Sequence, residues 1–166
     1  MNRNELTFVA LINEFCHDLE RCEESGREAF VSAMIKILPR IYISAYDIED
    51  NVSLGESVIT SSLDEDTYDL VRNRVAVTMG EDDVYLEVFL DDMKYSDTPI
   101  ATSVSENLAD LYQEFFNLLV SIRDQLPTIQ HELIRTCHEH FVDYWGQTLL
   151  NVLRAIHNIA CADQLC

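Results

Sequence analysis

Five histidines and five cysteines are the residues with most capacity for chemistry in this chain, and their spacing limits what that chemistry can be. His131-Glu132-Leu133-Ile134-Arg135 opens like the zinc helix H-E-x-x-H, in which two imidazoles one turn apart share a metal. Arg135 stands where the second ligand must be, and a permanent cation cannot ligate. His138-Glu139-His140-Phe141-Val142 fails in the same way at Val142. His131 and His138 share a helix face and read as boundary histidines beside a core. Glu14-Phe15-Cys16-His17 matches the Glu-x-x-His pair of di-iron bundles, but such centres need two pairs and the chain has one. His17 lies about 180° around its helix from Phe8, at roughly 100° per residue, and so faces solvent. The doublet His17-Asp18 resembles that of metal-dependent phosphohydrolases, yet no further ligands are seen to converge on it. Asp47-Ile48-Glu49-Asp50-Asn51-Val52 lacks the glycine that a calcium loop needs at its sixth position. No metal and no cofactor follow from these patterns.

With four glycines (Gly26, Gly55, Gly80, Gly146), the chain has neither a phosphate-cradling loop nor a dinucleotide fingerprint, and G-x-S-x-G is absent. Cys16, Cys22, Cys137, Cys161 and Cys166 are odd in number and contain no C-x-x-C. Cys16 and Cys137 fall on apolar helix faces, where a reduced thiol is core filler. No catalytic residue can be named.

The elements that position these residues are helices. The first spans about Glu5 to Glu24, with Phe8, Ile12, Phe15, Leu19 and Cys22 on one face. Ser25-Gly26-Arg27-Glu28 has the form of a capping box opening a second, which carries Phe30, Met34, Ile37 and Leu38. Pro39 should kink or end it, with Ile41–Tyr46 as its continuation. Ser62-Leu63-Asp64-Glu65 suggests another capping box, for a helix bearing Tyr68, Val71, Val75 and Met79 and stopped by Gly80. Val84–Leu90 is ambiguous; with no matching strand in view, a short helix is expected. Ser103-Val104-Ser105-Glu106 is a third box, opening a helix with Leu108, Leu111, Phe115, Leu119 and Ile122 on one side. Pro127 suits the first turn of a last helix reaching about Ala162, roughly 50 Å at about 1.5 Å per residue. A compact chain of this length is only about 40 Å across. The last helix must therefore bend at Gly146 or project into a partner. Its second half is apolar on more than one face, at Leu149, Leu150, Val152, Leu153, Ile156 and Ile159, as in a central bundle helix or a subunit interface.

The fold class is all-α: one domain over residues 1–166, a bundle of about five to seven helices with a long C-terminal helix, least determined over 47–97. Of 166 residues 48% are hydrophobic, and 30 Asp and Glu against 11 Lys and Arg give a net charge of −19. Such a chain is repelled by nucleic acid and anionic membranes. The apolar run Phe8–Ile12 is too short for a signal-peptide core, and no run of apolar residues approaches the ~18 of a membrane span. The expected location is cytoplasmic. The acid clusters Asp64-Glu65-Asp66, Glu81-Asp82-Asp83 and Asp91-Asp92 read as solvated faces and helix N-termini, or as a surface for a basic partner.

Two segments carry a resemblance. Glu106-Asn107-Leu108-Ala109-Asp110-Leu111-Tyr112-Gln113-Glu114 and Tyr144-Trp145-Gly146-Gln147-Thr148, followed by Leu153-Arg154-Ala155-Ile156-His157, resemble the bacterial domain-of-unknown-function family 5063. The likeness covers most of the chain in order and length. It implies an all-α protein without an assigned activity. Family members carry histidines on both sides of the Trp-Gly pair; here Tyr144 and Thr148 occupy those places, so the resemblance implies no histidine chemistry there. On the residues themselves, Gly146 would admit a second helix closely beside Trp145. Asp110 and Glu114 lie one turn apart, as do Arg154 and His157. If the two faces meet, Asp110 with Arg154 and Glu114 with His157 form a charged pocket beside Trp145; otherwise they are separate solvent faces.

The first functional expectation is a non-enzymatic protein acting through contacts with a protein partner or a second copy, its C-terminal helix buried there. The alternatives are a small-molecule or metal-dependent enzyme using the pocket of Asp110, Glu114, Arg154 and His157, and an acidic mimic that occupies a basic protein.

Overall fold

A computed structural model describes residues 1–49, 57–86 and 100–165. Helix α1 (Arg3–Glu20) starts two residues before the expected Glu5, because Asn2 and Glu5 form a reciprocal capping box: Asn2 Oδ1 accepts from Glu5 N at 2.9 Å and Glu5 Oε2 from Asn2 N at 2.7 Å. It breaks at Arg21, and a single turn, α2 (Cys22–Ser25), follows. Helix α3 (Arg27–Tyr46) has Gly26 at its cap, with φ +80. The expected capping box at Ser25 is not formed; Ser25 Oγ donates back to Cys22 O at 3.0 Å instead. α3 runs on through Pro39, with Leu38 and Ile41 buried on either side of it. By length and composition α3 alone among the described helices is long and apolar enough to cross a membrane, although Lys36 and Arg40 interrupt its apolar run; here most of its apolar residues enter the core.

Helix α4 (Glu65–Met79) is capped by Asp64, whose Oδ1 accepts from Thr67 N at 2.7 Å, rather than by Ser62. The Ser62 and Leu63 amides go elsewhere, to Asn117 Oδ1 at 2.8 and 2.9 Å. Gly80, at φ +59, ends α4 as expected and opens the 3-10 turn Gly80–Asp83. The segment expected to be a short helix begins instead as a strand. β1 (Val84–Leu86) pairs antiparallel with β2 (Ala101–Ser103), with Tyr85 opposite Thr102. Residues 87–90 of that segment, Asp91-Asp92, Cys166 and the second half of the calcium-like stretch (Asp50-Asn51-Val52) lie outside the described residues.

Helix α5 (Val104–Ile122) is capped by Ser103, whose Oγ accepts from Glu106 N at 3.1 Å. It packs against α1, α4, α6 and α7, and its stripe of Leu108, Leu111, Phe115 and Leu118 is buried. Helix α6 (Pro127–His140), a π turn (Phe141–Trp145) and α7 (Gly146–Ala162) continue one another without a break. Leu149, Val152 and Ile156 of α7 are buried within this chain's own core, against α3 and α5. The excess apolar faces of the last helix are thus mostly consumed inside the bundle. Leu150 is the large apolar residue of α7 that stays exposed. The architecture is an all-α bundle with one two-stranded ribbon.

Candidate functional site

Two places bear on function: the seam around Asp110 and Glu114, which the sequence singled out, and a groove beside Gly146, which it did not. Asp110 and Glu114 lie on one side of α5, but what meets them is not Arg154 and His157. Tyr68 of α4 donates its hydroxyl to Asp110 Oδ1 at 2.7 Å. Tyr144 reaches Asp110 and Thr148 from the π turn. His140 Nδ1 sits 2.5 Å from Glu114 Oε1, and the Cys137 thiol also bonds Glu114. Arg154 Nη2 instead donates to the Leu86 carbonyl of β1 at 2.6 Å, and the His157 ring lies 3.6 Å from Cys161 Sγ on its own helix. The expected pairs Asp110–Arg154 and Glu114–His157 are therefore replaced. α4 lies along α5 and supplies Tyr68, while Arg154 is drawn to the two-stranded ribbon, which the sequence pattern does not reveal.

This seam has little freedom to react. Burial and the neighbouring Asp110 carboxylate push the Tyr68 and Tyr144 phenols upward, so both remain protonated donors at neutral pH. Burial pushes the Cys137 thiol well up, which withholds the thiolate a nucleophile requires. Both carboxylates are already engaged by protein groups and serve to tie α4, α5 and the last helix together. Among the described residues no group of three or more His, Cys, Asp or Glu could hold a metal. His131 Nδ1 faces Glu5 Oε1, and the His138 ring stacks on Phe141 at 5.9 Å; both are boundary histidines. His17 is exposed, as its helical position requires.

The second place is an open groove of about 480 Å³ between the end of α3 and the last helix. Tyr42 and Phe141 form its floor, their rings edge to face at 5.1 Å. Tyr46, Val142 and Leu150 stand along it, 72%, 69% and 40% exposed. The π turn creates this geometry. The Gly146 N–H reaches Phe141 O, five residues back, and a Cβ on Gly146 would lie 2.6 Å from that oxygen and 2.9 Å from the Phe141 ring. Gly146 therefore makes room for Phe141 of its own chain, not for a second helix. Trp145, fully buried, stacks on Phe8 at 6.2 Å, meets Phe115 edge-on at 5.0 Å and donates Nε1–H to Cys137 O at 3.0 Å. It belongs to the core rather than to a binding surface. Tyr46 and Val142 gave no sequence signal, because each lies off its helix's main apolar stripe.

A profile described as Domain of unknown function (DUF5063) matches residues 1–162. The chain belongs to the DUF5063 family. Among solved structures it is similar to protein BF1032 from Bacteroides fragilis, with 29% identity, a TM-score of 0.80, and coverage of 95% of this chain and 92% of that one. No curated protein matches it. In this DUF5063 chain Trp145 packs on Phe115, the residue that follows the first of the two segments on α5, so the Trp-Gly pair and the helix bearing Leu-Ala-Asp share one packing unit.

Proposed function

We propose that the protein is a non-catalytic, cytoplasmic helical-bundle protein whose groove beside the π turn receives a basic amphipathic helix of a partner protein. The observation carrying this reading is the alignment of exposed Tyr46, Val142 and Leu150 along one concave strip. Single exposed apolar residues are ordinary, whereas several beside one cavity are what an amphipathic helix seats on. Exposed Asp47 and Glu49 flank buried Ile48 at one end, and exposed Asp143 follows Val142 at the other. Lysines on a partner helix would meet those carboxylates while its apolar stripe filled the groove. The net charge of −19 opposes docking of a second copy and favours a basic partner.

Fluorescence anisotropy with a labelled synthetic Leu/Lys amphipathic helix tests this. Saturable binding that weakens with salt and falls at least tenfold in Val142→Glu and Leu150→Glu is expected; both side chains are exposed, so the fold should survive. Equal binding by wild type and both variants would remove the reading. Sedimentation that revealed a dimer broken by Val142→Glu would replace the partner with a second copy.

A further inference from the structure

A separate cleft of about 360 Å³ lies between the end of α1, α2 and the start of α3. Its size falls within the range of small-ligand sites. Ala29, Phe30 and Ala33 give it an apolar side, and His17, Asp18, Arg21 and Glu24 a polar one. The guanidinium there is already spent: Arg21 Nε and Nη2 both donate to Glu24 Oε2, at 2.9 and 2.8 Å. Asp18 has no such partner. Among the described residues no donor bonds its half-buried carboxylate, and Glu14, one turn earlier, repels it. Burial and that repulsion raise the Asp18 carboxyl above its ordinary value, against a weaker pull from His17.

A half-buried carboxylate pressed by Glu14 and only weakly offset by His17 is costly to keep charged, and a cation entering the cleft would reduce that cost. A bare metal ion is poorly served, because hard cations need several oxygen ligands and one wall here is hydrocarbon. An ammonium group with an alkyl tail satisfies both sides, its three N–H donors toward Asp18 and its methylenes on Phe30 and Ala33. We infer that this cleft is a binding site for a primary alkylammonium group, with Asp18 as its anionic anchor. The group can belong to a free amine or to a lysine side chain.

The test is amide chemical-shift titration of the full chain with n-butylammonium chloride, against n-butanol and against sodium chloride at equal ionic strength. Saturable shifts at Asp18, Phe30 and Ala33 with the amine only are expected, weakened at least tenfold in Asp18→Asn. Ala33→Leu, which keeps the charge and fills the cleft, should weaken binding as well, with helical circular dichroism confirming both folds. Nα-acetyl-lysine methylamide separates the sources: binding as tight as the free amine indicates a lysine side chain, and much weaker binding a free amine. Equal shifts with n-butanol, or unchanged affinity in Asp18→Asn, would overturn the site. Val142→Glu should leave the titration untouched, so failure here is distinct from failure of the groove.

Discussion

At the scale of single residues, two positions carry constraints that their types alone do not announce. A helix-interior glycine ordinarily costs about 1 kcal/mol relative to alanine, so Gly→Ala is commonly stabilising there. Gly146 should behave oppositely. The Cβ of Gly146→Ala would press on the Phe141 carbonyl, a backbone atom that cannot rotate away, and the π turn would have to shift. Urea unfolding should give a lower midpoint for Gly146→Ala, and a gain in stability would mean the π turn relaxes without cost. Glu5 is the second case. It is 1% exposed, bonded to Asn2 N and facing His131 Nδ1. His131→Ala leaves a buried carboxylate short of one hydrogen-bond partner and should cost about 1–3 kcal/mol. Glu5→Gln keeps a polar group of the same shape without the charge and should cost less. Equilibrium unfolding of both variants checks the order, and a reversal would show that shape and hydrogen bonding at Glu5 matter more than its buried charge.

At the scale of elements, the helices were legible wherever a stripe of three- and four-residue spacing met a core, and the misread helix starts turn on what competes for the cap. Ser25 and Ser62 each have a glutamate three residues on, yet Gly26 and Asp64 take the cap positions. The β1 strand was hidden because its partner, Ala101-Thr102-Ser103, is three residues long and carries no apolar alternation. The face of Asp110 and Glu114 was readable from α5 alone, whereas Tyr68 and His140 arrive from other helices and no spacing along the chain encodes them. Asp64 offers a test at this scale. Hydrogen bonds from Thr67 hold its carboxyl below the ordinary 3.8. A carboxyl depressed in the folded state stabilises above its unfolded value and loses that contribution as pH falls through the folded one. Asp64→Asn retains a capping oxygen that does not titrate. The difference in thermal midpoint between wild type and Asp64→Asn should be constant near neutrality and shift against the wild type only below about pH 4. A difference that varied between pH 6 and 8 would assign the effect to another group.

At the scale of the whole molecule, 30 acids around a core of modest size mean that the fold is held against its own surface charge. Few cations offset this, and the best placed is Arg27, which bridges Asp82 in the 3-10 turn and Asp163 beyond α7, tying the start of α3 to two other chain segments. The two effects respond oppositely to salt. Screening shortens the Debye length from about 10 Å at 0.1 M to about 3 Å at 1 M, which relieves the long-range repulsion first and a contact pair much less. Repulsion should therefore dominate, and sodium chloride should raise the thermal midpoint; a relief of about 1 kcal/mol corresponds to roughly 2–4 °C in a chain of this size. Arg27→Gln sharpens the argument. It removes the bridge and adds one unit to the net negative charge, so its midpoint should lie below wild type at every ionic strength and rise more steeply with salt. A midpoint that fell with salt in the wild type, but not in Arg27→Gln, would show instead that the Arg27 bridge outweighs the summed repulsion of the surface.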